Sequence, residues 1–296
     1  MASPPESVSP EIIDVHCHCF VGPKQGPMVA AGLSRLRQAG VNHLTVMGLV
    51  NPRANPRDIR QLIPEGFPNL GDPFFNEADT LLRLALRHAG MLVPMLDTRC
   101  LDGEVPDLLQ GWLDKGFKGL KGLYLADERN DLKLAGVPAV FGISLRQYHR
   151  REWEIFAFAE ANDLPVVYHM DARLYGDVMR AMLDDFPRLR INFPHFGIGR
   201  KAFAPILDRY PNVYTDIAYM LPHISANPAG YRDFICHYPD RVCFGSDALL
   251  YQPEIVLDYI DLVRSLKLPE EVEQGIFSEN PRRFLGKALE PRQERP

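Results

Sequence analysis

Eight short apolar or β-branched runs recur along the chain, each followed by a stretch with helical spacing, and this alternation restricts the fold more than any other feature. The runs are Ile12–Cys19, Asn42–Val50, Met91–Thr98, Gly119–Leu125, Pro165–Met170, Arg190–His195, Asn212–Ala218 and Arg241–Ser246. Apolar residues at helical spacing predict amphipathic helices over Gly32–Ala39, Glu77–Ala89, Val105–Lys115, Arg151–Asn162, Gly176–Asp184, Phe203–Arg209, Tyr231–His237 and Pro253–Leu266. Pro, Gly and Asn punctuate the joints. Eight strands alternating with eight helices match an α/β fold, the closed (β/α)8 TIM barrel. The 296 residues leave 296/8 = 37 per unit, room for a single barrel domain over 11–296 behind a polar, Pro/Ser-rich tail over 1–10. A doubly wound open sheet has the same alternation, but no Gly-rich phosphate fingerprint follows any of these strands.

Two connections exceed a simple turn. Asn51–Asn76 carries five prolines, and Ala126–His149 separates the fourth strand from its helix. Long loops after strands 2 and 4 of a barrel lie on the face that holds active sites, where they shape and cover the pocket.

Composition removes several functions. Against 38 acidic residues stand 33 Lys and Arg, a formal charge of −5, so the chain has no overall attraction for phosphate backbones or anionic lipid. The apolar stretch Leu134–Ile143 is about half the roughly 20 residues that span a bilayer. The first ten residues lack a basic segment followed by an apolar one. Five cysteines, odd in number and unevenly spaced, argue against a disulfide framework and for a reducing cytoplasm. The expected partner is therefore a small molecule, not nucleic acid or membrane, and a homodimer is compatible with a barrel of this size.

The strongest chemical signal is Asp14-Val15-His16-Cys17-His18 at the end of the first run. Strict strand alternation puts Asp14, His16 and His18 on one face, and Val15, Cys17 and Cys19 on the other. Residues two apart are separated by about 6.6 Å, so two imidazoles can converge on one divalent ion. An isolated His-x-His also occurs as an ordinary polar strand end. Position decides: His169 ends the fifth run, His195 ends the sixth, and Asp247 follows the eighth. All lie at the strand ends that carry active sites in a barrel. The histidines at 43, 88, 149, 223 and 237 fall within a strand, helices or loops and read as ordinary polar residues.

These pieces resemble the amidohydrolase superfamily, and within it the amidohydrolase-related branch that includes aminocarboxymuconate semialdehyde decarboxylase and resorcylate decarboxylases. The matching segments are DVHCH (14–18), GFKGLK (116–121), PVVYH (165–169), PHFGIG (194–199), FGSD (244–247) and ENPRRFLG (279–286), in the family's order over nearly the whole chain. The resemblance implies one divalent metal, Zn2+ or alternatively Mn2+ or Fe2+, bound by His16, His18, His169 and Asp247. It also implies that His195 sits beside the attacking water or the substrate. Bound metal lowers a water's pKa to about 7. Asp247 can then accept the proton and pass it to the leaving group, while His195 orients the water or polarises a carbonyl; alternatively His195 only holds the geometry.

Further strand-end residues can bind substrate: Arg99 after strand three, Lys121 and Tyr124 on strand four, Arg173 after strand five and Tyr219 after strand seven. Arginine pairs with carboxylates in bidentate fashion, which suits an acidic organic substrate. Some superfamily members carboxylate a fourth-strand lysine to bridge two metals; here Lys121 is read as holding a substrate carboxylate instead. Lys118 falls on the opposite face and reads as structural. Cys17 and Cys19 face away from the histidines and read as packing residues.

The expected function is metal-dependent hydrolysis of an amide, lactone or related bond in a small substrate. Non-oxidative decarboxylation of an aromatic or enol acid is the alternative. Two departures favour hydrolysis: Ile198 follows His195-Phe196-Gly197 where the decarboxylases often have an acid, and Ala-Leu-Leu-Tyr follows Asp247 where Tyr-Pro is common. A TatD-type deoxyribonuclease also begins with His-x-His but would require a fourth-strand glutamate, where this chain has Gly119-Leu120-Lys121. A barrel that keeps metal only for structure would close the site with protein ligands alone.

Overall fold

The computed structural model describes residues 11–22, 24–49, 60–64, 77–99, 101 and 103–290. Its strands are β1 (Ile12–His18), β2 (Val41–Leu49), β3 (Leu92–Asp97), β4 (Gly119–Leu123), β5 (Val166–His169), β6 (Ile191–Phe193), β7 (Val213–Asp216), β8 (Val242–Cys243) and β9 (Ala248–Leu249). All neighbours pair in parallel, in the order β8-β7-β6-β5-β4-β3-β2-β1-β9. The two outermost strands belong to one stretch of chain: β8 pairs with β7 and β9 with β1. Across the seam Val15 N donates to Phe244 O at 2.9 Å and Asp247 N to His16 O at 2.8 Å. The sheet curls until its edges meet. This is the expected TIM barrel, with its eighth strand broken at 244–247.

Both faces of each strand are covered, so the strands read as near-continuous buried runs rather than alternating ones. One apolar layer lies between sheet and helices. A second fills the barrel, built from Ile13, Val15, Met47, Val93, Met95 and Val167 and closed by Phe284 and Leu285. Those last two come from the helix Asn280–Leu285, whose first residue is buried and donates from Nδ2 to Pro239 O and Val242 O, each at 2.7 Å. The ENPRRFLG segment thus plugs the bottom of the barrel and leaves the opposite end open.

The helices expected from Glu77, Val105 and Pro253 begin at those residues, whereas others begin earlier than periodicity indicates. The expected Arg151–Asn162 starts at Leu145, behind a capping box of Ser144 and Gln147. Gly176–Asp184 starts at Ala172 behind Asp171, and Tyr231–His237 at Pro228 behind Asn227. First turns are set by caps and prolines rather than by apolar spacing. The Glu77–Arg87 helix opens with a buried carboxylate that accepts from Phe20 N at 2.6 Å and Leu49 N at 2.7 Å, tying it to the ends of β1 and β2.

The long connection after β4 is present and contains a short helix, Val137–Phe141. The one after β2 lies outside the described residues except for 60–64, as does the tail over 1–10. Among the described residues, no helix is long and apolar enough to cross a membrane.

Candidate metal centre and active site

The end of β1 is bulged. Asp14 pairs with Leu44 and Cys17 with Val46, so three steps along β1 match two along β2. A bulge turns two successive side chains the same way. Val15 accordingly joins the barrel interior while His16 and His18 line the cavity above it. This corrects the alternation expected for Asp14, which does not share the histidines' face. Its Oδ2 accepts from Ser246 Oγ at 2.6 Å, and its Oδ1 accepts from His16 N at 2.9 Å and Ser246 N at 3.2 Å. Asp14 is a buried clasp between β1 and the broken eighth strand. Cys17 packs beside it, 3.6 Å from Ser246 Oγ, and with Cys19 belongs to the layer between sheet and helices.

The clasp sets Asp247 against both histidines. Asp247 Oδ1 lies 3.3 Å from His16 Nε2 and 3.0 Å from His18 Nε2. One ligand-type atom from each of the three residues lies within 4.8 Å of the other two. Edges of a tetrahedron around an ion at zinc-to-nitrogen distances are about 3.3 Å, so the spacing suits a divalent cation. His16 supplies a sharper test. Its Nδ1 donates to Asp216 Oδ2 at 3.1 Å, which fixes the tautomer and leaves a bare lone pair on Nε2. That nitrogen is buried and makes no hydrogen bond. Burial also pushes the His16, His18 and His195 imidazoles below their ordinary value, against the pull of the neighbouring carboxylates, which favours the neutral form that ligates metal. The donor set fits a cation.

Asp216, at the end of β7, organises the floor of the site. Its Oδ2 also accepts from Asn192 Nδ2 at 2.7 Å, and its Oδ1 accepts from His195 N and Ala218 N, each at 3.1 Å. Burial alone would raise this carboxyl; His16 and the donated hydrogen bonds outweigh it and hold it at about 2. Asp247 is likewise raised by burial but carried below the usual carboxylate range by His16 and His18 beside it. Gly245 lets these strands approach, because a Cβ there would sit 3.0 Å from Asp216 Cβ and 3.1 Å from His16 Cβ.

His195 donates from Nδ1 to Ala218 O at 2.6 Å, leaving Nε2 bare. Four imidazoles follow one another around the cavity: His18 to His16 at 5.3 Å between ring centres, His16 to His195 at 5.4 Å, and His195 to His169 at 5.2 Å. His169 stands outside the three-residue cluster; its Nε2 is 3.1 Å from both oxygens of Asp131. The backbone around these groups is strained. His195, Phe196, Tyr219 and Asp247 have φ of 58°, 53°, 55° and 61°, a region L-residues seldom occupy and which clusters at active sites.

The cavity measures about 740 Å³ and is lined by these four histidines, Asp247, Asp131, Lys121, Arg99, Arg173 and Tyr219, together with His223, expected from the sequence to be an ordinary polar residue. Lys121 is 2% exposed, and burial lowers its ammonium to about 8. Lys118 turns away and donates from Nζ to Glu290 O at 2.6 Å. Tyr219 is 74% exposed at the mouth, edge-on to His195. Tyr124 is placed differently from its expected substrate role. It does not line the cavity, because strand alternation turns Lys121 and Leu123 inward and Tyr124 outward, where its hydroxyl meets His149 Nε2 at 2.7 Å.

The sequence singles out neither Asp216 nor Asp131. Asp216 carries a weak signal, an acid where a strand gives way to a loop, hidden inside a run that continues to Ala218. Asp131 carries none. It reaches His169 because Asn130 folds its loop, donating from Nδ2 to Asp127 O and Leu134 O and accepting from Leu134 N.

Solved structures with the same fold include an uncharacterised TIM-barrel protein from Bordetella bronchiseptica, at TM-score 0.63 and 15% identity, covering 94% of this chain and 99% of that one. A probable 2-pyrone-4,6-dicarboxylic acid hydrolase from Acinetobacter baumannii, with citric acid bound, gives 0.63 and 14%, covering 93% and 99%. A Pseudomonas putida protein with the same provisional assignment gives 0.61 and 18%, covering 95% and 99%. At these identities the likeness establishes the fold. No curated protein matches the chain. A family model described as amidohydrolase matches residues 13–287, from β1 to the plug beneath the barrel. With its span covering every strand that carries the site, the chain belongs to the amidohydrolase family.

Proposed function

We propose that the protein is a metal-dependent hydrolase that cleaves an amide, lactone or related bond in a small, carboxylate-bearing organic substrate. His16, His18 and Asp247 would hold one divalent cation, Zn2+ being well suited to two imidazoles and a carboxylate. His169 would join through the nitrogen that Asp131 does not engage. The observation that carries this reading is the buried Nε2 of His16, which has no hydrogen bond, is aimed at Asp247, and has its partner nitrogen fixed by Asp216.

When bound, the cation supplies Lewis acidity for water and for the substrate carbonyl. The chain's own groups do the rest. Asp247, ionised beside two imidazoles, accepts the water's proton and delivers it to the leaving group. His195 faces the cavity with a bare Nε2, able to hold water or, once protonated, to polarise the carbonyl oxygen. Lys121 seats the substrate carboxylate, and Tyr219 offers a ring at the entrance.

The test is incubation of the zinc-loaded protein with a panel of lactones and amides in 18O-labelled water. Incorporation of one labelled oxygen into the product carboxylate is expected. Release of carbon dioxide without label would replace hydrolysis by decarboxylation.

A further inference from the structure

The Lys and Arg side chains lining the cavity differ in what they already hold. Arg99 Nε is 3.0 and 3.1 Å from the two oxygens of Asp97, its Nη2 donates to Asp97 Oδ2 at 2.6 Å, and its Nη1 donates to Leu62 O at 2.8 Å. Arg173 grips Asp171 in the same bidentate way, with Nε at 2.9 and 3.2 Å and Nη2 at 2.6 Å. Each guanidinium thus has a carboxylate of its own, two residues before it in sequence. Lys121 has none: among the described residues its ammonium makes no hydrogen bond and no ion pair. Its register neighbour on β3 is Asp97, whose oxygens are committed to Arg99. Asp247 and Asp97 act on the Lys121 ammonium only across a gap, and burial outweighs them. A buried cation with no anion in contact is costly, and a ligand anion relieves that cost.

We propose that the cavity is built for a substrate with a single carboxylate, seated on the Lys121 ammonium, and that it selects against dicarboxylates. This rests on the reading of the site as acting on a small carboxylate-bearing substrate, and it fixes the charge class. A second carboxylate would have to enter a cavity that already holds Asp131 and Asp247, with both arginines neutralised. It would lose hydration without gaining a side-chain cation, and the metal that His16, His18 and Asp247 would hold is reserved for the water and the reacting carbonyl. The neighbours of the 2-pyrone-4,6-dicarboxylic acid type are named for a doubly charged substrate; the pairing in this chain points to a singly charged one. Arg99 and Arg173 act here as scaffolding for the cavity wall.

Equilibrium titrations of the zinc-loaded protein at pH 7 with benzoate, benzamide and benzene-1,3-dicarboxylate test this without requiring turnover. Benzoate is expected to bind about tenfold or more tightly than benzamide, as a buried charge-assisted contact implies. Benzene-1,3-dicarboxylate is expected to bind no more tightly than benzoate. Lys121→Gln should abolish the benzoate preference and Lys121→Arg should retain it. Three results overturn the proposal: tighter binding of the dicarboxylate, a benzoate preference that survives in Lys121→Gln, or no benzoate binding up to about 10 mM. If Lys121→Gln fails to fold, Lys121→Met serves in its place, and the wild-type ranking of the three ligands is decisive alone. A protein that hydrolyses no lactone or amide yet keeps this ranking rejects the hydrolase reading and leaves the single carboxylate seat standing.

Discussion

His16 Nδ1 lies 3.1 Å from Asp216 Oδ2, joining the first strand of the barrel to the seventh through side chains 200 residues apart in sequence. The contact fixes which nitrogen carries the proton, which way the ring faces, and how basic Nε2 is. Asp216 does this while holding Asn192 and the backbone of His195, so one carboxylate positions several cavity groups at once.

Asp216→Asn should therefore weaken zinc binding about 10- to 100-fold while leaving the barrel folded. Competition against a chromophoric chelator measures the affinity, and circular dichroism checks the fold. Unchanged affinity would show that His16 needs no such partner.

Metal should also be a stabiliser. Ligand that binds the folded chain alone raises stability by about 2.7 kcal/mol at a hundred times its dissociation constant. Calorimetric melts of the wild type should shift upward with zinc and return with chelator. His18→Ala removes one corner of the cluster and should remove most of the shift. A shift that persists in that variant would move the metal elsewhere.

Asp247→Asn separates holding from proton transfer. The amide keeps an oxygen in place but cannot accept the proton, so kcat should fall about 10²- to 10⁴-fold on any substrate turned over, with KM little altered. Metal content must be assayed in the same preparation. A normal turnover number in metal-replete variant would assign the proton to another group.

Much of this arrangement was legible from strand-end positions. In a barrel every strand delivers its last residues to one face, so His16, His18, His195 and Asp247 could be gathered without any knowledge of distances. What escaped were features set by local irregularity or by folding of loops. The bulge in β1 reversed Asp14, because strand alternation holds only while the register does. Asp131 comes from a loop ordered by Asn130, and nothing in its neighbours marks it. Arg99 and Arg173 were readable as cations but not as cations already paired, since the bidentate grip depends on turn geometry. Tyr124 lay one residue beyond the inward-facing Leu123, where parity sends it outward.

Lys121 gives the last prediction, and its sign can be worked out. Burial lowers its folded value to about 8 from the ordinary 10.5, so the folded state binds this proton less firmly than the unfolded chain does. Between those values the unfolded chain holds more protons, and stability rises with pH; below about 8 the full cost of the buried charge is present. Lys121→Met removes that cost and should stabilise the protein at pH 7 by up to about 3 kcal/mol, from the difference in pKa at 1.36 kcal/mol per unit. The gain should shrink as pH climbs from 8 towards 10.5. Urea unfolding of both proteins at pH 7 and pH 10 measures it. A variant no more stable than wild type at pH 7 would mean that the ammonium is satisfied in the folded protein, and a gain that does not shrink would trace it to packing rather than charge.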